Sequence, residues 1–222
     1  MDPLALRVSL TLAVTTVLVL LPAGVWAGHR LATTTSRARP LFEALVAMPL
    51  ILPPTVLGFY LLTVFGARSP IGAAFEALAG HTLAFSFTGL VVASTIVNIP
   101  FVVQPIQRAF EAIPRDVREA AACCGLSPLA RFARIELPLA WPGILTAAML
   151  VFAHTLGEFG VVLMVGGNIP GETRTLSVAI YDRVQAFDDR GAGLMAAALL
   201  ALALATLSAT TWLGRAPGRR HG

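Results

Sequence analysis

Residues 115–138 read RDVREAAACCGLSPLARFARIELP, a stretch too polar to cross a bilayer and too regular for a loop. Ile113, Val117, Ala120, Ala121 and Cys124 recur at helical spacing and predict one apolar face. Arg115, Asp116, Arg118 and Glu119 fall elsewhere around that helix. Pro114 suits a first helical turn, and Gly125 suits the left-handed position that closes a helix. Ser127 followed by Pro128 predicts an N-cap with proline at the first helical position, opening a second short helix that stops near Pro138. Two short helices meeting at a glycine corner make a rigid knob. The alanines at 120–122 leave its surface smooth enough for close docking.

Outward from this polar island the chain is strongly apolar. A membrane-crossing helix needs about 20 mostly apolar residues, and five stretches qualify: 8–27, 41–65, 83–103, 143–165 and 192–213. Pro49, Pro53 and Pro54 predict a kink or break in the second, with the freed carbonyls facing protein or a wet cavity. Composition agrees. Hydrophobic residues make up 56% and charged residues 13% of the 222, against about 45–50% and about 25% in soluble domains. Mean hydropathy is +0.78. So few charges cannot cover a soluble globule, which excludes a soluble enzyme or nucleic-acid binder. The expected architecture is all-α: a polytopic bundle of about five transmembrane helices in a single domain over 1–222, with residues 108–141 outside the bilayer.

The net charge of +4 comes with sixteen basic residues, all arginine, lying between the apolar stretches. Arg30, Arg37 and Arg39 follow the first span. Arg108, Arg115, Arg118, Arg131 and Arg134 follow the third, and Arg215, Arg219 and Arg220 follow the fifth. Arg7, Arg68, Arg174, Arg183 and Arg190 fall on the other side, beside Asp2, Glu76, Glu172, Asp182, Asp188 and Asp189. The positive-inside bias predicts an outer N-terminus, with residues 104–141 and the C-terminus in the cytoplasm. Residues 10–21 followed by Pro22 and Val25-Trp26-Ala27 also have the form of a signal peptide and its cleavage site. Cleavage there would export both arginine-rich segments, so the charge pattern favours a retained first span. The adjacent Cys123 and Cys124 suit neither a spaced disulfide framework nor a zinc site, and they read as small helix-packing residues.

The stretch 115–138 resembles a known pattern. Glu119-Ala120-Ala121, three residues, Gly125, nine residues, then Ile135-Glu136-Leu137-Pro138 reproduces the EAA loop of ABC importer permeases. The resemblance implies a type I importer permease fold working as a homodimer in the cell inner membrane. It also implies two cytoplasmic ATPase subunits and an extracytoplasmic oxyanion-binding protein as partners. Glu119, Ala120, Ala121, Gly125, Leu126, Ser127, Pro128, Ile135, Leu137 and Pro138 would then form the coupling contact with the ATPase. The chain has no G-x-x-x-x-G-K-[ST] loop, so ATP and its magnesium are expected on the partner, with no cofactor or metal on this chain.

Three further stretches are similar to the molybdate-permease branch: LILPPTVLG at 50–58, LGEFG at 156–160 and GNIPGETRTL at 167–176. They imply import of molybdate or tungstate, with sulfate or thiosulfate import as the related alternative. A tetrahedral dianion needs hydrogen-bond donors, which Thr55, Ser94, Thr95 and Asn98 could offer along a path; they could equally bond their own helices. Glu158 would repel an anion, so it reads as a structural or gating residue. His154 one turn earlier is within reach of it, and Gly157 and Gly160 allow close helix approach or a hinge. In the outer loop Pro170-Gly171 marks a turn, and Asn168 and Arg174 lie where a delivered anion would arrive; Arg174 suits an orienting role equally. Residues 175–184 carry Leu176, Ala179, Ile180 and Val184 as a stripe expected on the membrane surface. An intramembrane enzyme using His154 and Glu158 as an acid–base pair, or a passive anion channel, would leave the EAA pattern unexplained.

Overall fold

The computed structural model describes residues 2–213; Arg215, Arg219 and Arg220 lie outside the described residues. Helix α1, Pro3–Thr33, starts at Asp2, whose carboxylate accepts from the amides of Leu4 and Ala5, each at 3.1 Å. Its 31 residues run unbroken through Pro22 and the Val25-Trp26-Ala27 triplet. At 1.5 Å per residue that is about 46 Å, longer than the hydrocarbon core of a bilayer.

The short helices α2, Arg39–Ile51, and α3, Pro54–Phe65, are bent by 104° at Leu52 and Pro53. Leu52 is held extended before Pro53, and Pro54 opens α3. The break therefore comes from the proline pair, while Pro49 is absorbed inside α2. Helix α4, Pro70–Ala79, is a short apolar element outside the expected spans, capped by Ser69 and ended by Gly80 at φ +75°. Helix α5, Phe87–Glu111, runs eight residues past the expected end of the third span. Pro100 and Pro105 lie inside it.

The knob follows. Helix α6 covers Arg115–Cys123 and α7 covers Pro128–Arg131; a π-helical turn at Phe132–Glu136 leads into α8, Leu137–Gly157. The second knob helix thus does not stop near Pro138. The wider π register carries the chain past the missing proline N–H, with the Leu137 amide bonded to the Phe132 carbonyl. Helix α8 ends at Gly157, and α9, Gly160–Gly166, follows a break at Glu158 and Phe159. The fourth crossing therefore starts earlier than residue 143 and is broken, where the apolar run predicted one continuous span. Helix α10, Leu176–Gln185, and the last span α11, Asp189–Leu213, complete the described chain. In α10, Leu176 and Ala179 are buried against Ala5 and Met195, so only the Val184 end of the expected stripe is exposed. Four long helices, or five crossings with the bent α2–α3 pair, are apolar enough to span a membrane among the described residues.

Helices α1, α5 and α8 form the central layer, with Leu20, Val102, Ile106, Phe110, Ile144 and Val151 buried between them. A Cβ on Gly24 would meet Val102 and one on Gly28 would meet Ile106, so contacts advance in step and α1 runs parallel to α5. Helix α8 runs the opposite way, its Gly143 packed on Ala109 and its Thr155 bonded to Asn98. These directions bring Arg30, Arg37, Arg39, Arg108 and the knob to one end of the bundle.

Candidate functional site

The knob forms as its punctuating residues dictate. Gly125 adopts φ +76°; its amide bonds the Ala122 carbonyl at 2.9 Å, and the Leu126 amide bonds Ala121 at 3.3 Å. Those two bonds close α6 as a Schellman turn. Ser127 then accepts from the Ala130 amide at 3.3 Å and caps α7, with Pro128 at its first position. Pro114 sits at the N-cap of α6, one place before the expected first turn. Ile113 and Ala121 are buried and Val117 half-buried, but Ala120 and Cys124 of the expected apolar face are exposed. Both cysteines are free and exposed, which corrects their reading as packing residues. Glu119, Ala120, Gly125, Ser127, Pro128 and Pro138 are likewise exposed, while Leu126, Ile135 and Leu137 are half-buried. The corner thus presents Ala120, Ala122, both cysteines and Gly125 outward, together with the exposed Glu119 and Leu129.

A residue that sequence reasoning left out of the site anchors this corner. Glu136 is 1% exposed. One carboxyl oxygen lies 2.7 Å from His29 Nε2 of α1. The other has Arg131 Nε at 3.2 Å and Arg118 Nε at 3.5 Å, as ion pairs without hydrogen-bond alignment. Arg118 also donates to the Phe110 carbonyl at 2.5 Å. The signal available in sequence was a lone acid inside an apolar run, between a basic helix and a span. Nearby, Gln107 donates to Glu43 at 2.7 Å and to Glu111 at 3.0 Å. Arg39 joins both carboxylates, fastening α2 to the end of α5.

Towards the other end, the α2–α3 bend and the α8–α9 break face one another across a cavity of about 130 Å³. Pro54, Phe101, His154 and Glu158 help line it. Glu158 is 7% exposed and accepts the Val161 amide at 3.1 Å, so its carboxylate satisfies a backbone donor at the break. Its carbonyl accepts from Ser177 at 2.7 Å, tying the break to α10. His154 Nε2 stands 3.8 Å from Glu158, an ion-pair separation and no hydrogen bond. The ring instead places Nδ1 3.2 Å from Asn98 Oδ1 and stacks on Phe101 at 4.1 Å. Asn98 in turn donates to Thr155 at 3.1 Å and to the Ser94 carbonyl at 2.8 Å.

Other residues expected along a path are dispersed. Thr55 is exposed on α3, and the Ser94 and Thr95 hydroxyls are buried without a partner among the described residues. None of the three lines the cavity. Gly160 packs so closely that an added Cβ would sit 2.9 Å from Pro54 Cβ, whereas at Gly157 it would meet nothing within 4 Å. The polar residues of the loop before α10 pair with that helix and with each other. Asn168 donates to both Asp182 oxygens at 2.9 and 2.8 Å and accepts from Arg174 at 2.5 Å. Arg174 also lies 3.7 Å from Asp182, so it orients the loop. At the turn into α11, the Gly191 amide and Arg183 donate to Asp188 and hold its carboxyl below the usual carboxylate range.

Arg174→Ala is expected to lower the stability of the purified chain by about 0–1 kcal/mol, as for other partly exposed pairs. Thermal unfolding checks this; a loss several times larger would make Arg174 a principal brace of the loop.

A model described as the binding-protein-dependent transport system inner membrane component matches residues 20–217. The molybdenum transport system permease protein ModB of Azotobacter vinelandii is 51% identical over 187 residues, covering 84% of this chain and 83% of that one. ModB of Escherichia coli (strain K12) is 36% identical over 224 residues, covering 100% of this chain and 98% of that protein. Among solved structures, a bacterial ABC transporter involved in the import of the acidic polysaccharide alginate superposes with a TM-score of 0.74 at 17% identity. The superposition covers 96% of this chain and 78% of that one, a likeness of fold. With its helical bundle and its exposed EAA corner, the chain belongs to the family of binding-protein-dependent transport-system inner-membrane components.

Proposed function

We propose that this transport subunit takes molybdate, or the isosteric tungstate, across the inner membrane as the permease of an ATP-driven importer. The observation that carries the reading is the exposed Glu119–Gly125 corner, braced by Glu136 against the ends of α1, α5 and α8. The names of the relatives supply the substrate. The corner has the shape of a docking contact, and two cytoplasmic ATPase subunits would supply the ATP and magnesium that this chain has no loop to hold. The arginine-rich end faces the cytoplasm in this reading, leaving the N-terminus outside. Two copies of the chain would enclose the path on their two-fold axis, and an oxyanion-binding protein would deliver substrate at the outer loop.

The residues divide the labour. Movement of the knob travels along α8, whose 21 residues span about 31 Å. The far end of that lever is the His154–Glu158 break and its cavity. Glu158 keeps one carboxyl oxygen on the Val161 amide, which holds the break in shape, and has the other 3.8 Å from His154. Asn98 behind the cavity spends both amide hydrogens on Thr155 and the Ser94 carbonyl, so it braces His154 and offers a dianion no free donor.

Competition in proteoliposomes carrying the chain with its ATPase and binding protein tests the substrate. Tungstate should compete with labelled molybdate at similar concentration, and a large excess of sulfate should leave uptake intact. Sulfate-sensitive uptake would reassign the chain to sulfate or thiosulfate import.

A further inference from the structure

The Glu136 cluster is more than an anchor. Its members come from four segments distant in sequence: His29 near the end of α1, Arg118 on α6, Arg131 on α7, and Glu136 at the foot of α8. Each carboxyl oxygen has a different duty. One faces α1 through His29; the other faces both knob helices through the two guanidinium groups. The His29 ring is held edge-on between Phe110 at 4.9 Å and Phe132 at 4.8 Å, so it can follow Glu136 only if α1 or α5 moves with it. Glu136 also closes the π turn, the irregular register often found at functional points of helices.

A buried carboxyl whose partners sit on separate elements cannot lose one partner cheaply, so displacement of the knob must drag α1 and α8 together. Among the described residues, the Arg39–Glu43–Glu111 cluster ties α2 to α5 and includes no residue of the knob helices. We propose that Glu136 and His29 are positioning residues of transport. Their link is the joint through which ATP-driven movement of the coupling corner is carried onto the first helix as well as the fourth span. This rests on the importer reading above.

The test uses the assembled transporter in proteoliposomes, reading molybdate uptake and ATP hydrolysis in the same sample. In Glu136→Gln and His29→Leu, hydrolysis should continue while molybdate moved per ATP falls about tenfold, the scale of a typical coupling free energy. His29→Gln keeps a donor for the carboxyl and should restore most of the ratio. A merely structural role would lower both activities in proportion and leave the ratio unchanged. That result, or equal ratios in His29→Leu and His29→Gln, overturns the proposal. If Glu136→Gln fails to assemble, the His29 pair alone decides. Absence of ATP-dependent uptake in the wild-type complex would instead overturn the importer reading itself.

Discussion

Gly125→Asp should abolish ATP-dependent uptake while leaving the helices folded. Gly125 sits at φ +76° with open space around its missing side chain, so no neighbour in the chain obstructs a Cβ. The backbone penalty for a non-glycine residue there is about 1–2 kcal/mol, and aspartate is among the residues that tolerate this region best. The side chain would project outward from the glycine corner, adding bulk and negative charge where the proposed ATPase contact requires close approach. The expected signature is normal expression and helical content, loss of co-purifying ATPase, and uptake lowered by about a hundredfold, as for loss of a central contact of 2–3 kcal/mol. Retained uptake with a fully assembled complex would show that the corner is no docking surface.

The second large effect is steric and lies within the chain. Gly28→Leu should destabilise the bundle by about 3 kcal/mol, the upper end for overpacking a close contact. A Cβ alone would lie 2.7 Å from Ile106 Cγ2 and 3.0 Å from the Gln107 amide nitrogen, so part of the obstruction is α5 backbone. With Gly24 against Val102, the two glycines let parallel helices approach as small-residue pairs do in membranes. Gly193→Leu on α11 is the control, because a Cβ there meets nothing within 4 Å. Thermal unfolding in detergent should separate the two variants clearly; equal stability would contradict the packing of α1 on α5.

How much of this was legible in the sequence depended on what each residue announces locally. The knob was readable because Gly125, Ser127 and Pro128 are punctuation: each restricts the backbone whatever surrounds it. The bend at Pro53 and Pro54 was readable for the same reason. The break at Glu158 was half readable: Gly157 and Gly160 announced a possible hinge, but the apolar run around them read as one continuous span and hid the side-chain cap on the Val161 amide. Pro138 misled in the other direction, since a π turn carried the helix through it. The Gly24–Gly28 contact lay under a triplet that has the form of a cleavage site. His29, Arg118, Arg131 and Glu136 were each visible, and the arginine bias put them at one end of the bundle, but their convergence on one carboxylate depends on how α1 and the knob pack together, which no local pattern states. The candidate path was legible least, because a buried threonine or asparagine looks the same in sequence whether it faces a cavity or its own helix.

The most direct measurement is accumulation of labelled molybdate in proteoliposomes containing the chain and the binding protein, with and without the ATPase subunit and ATP. Accumulation against a gradient only when both are present is the predicted result. Molybdate flux that persists through the chain without ATP would contradict it.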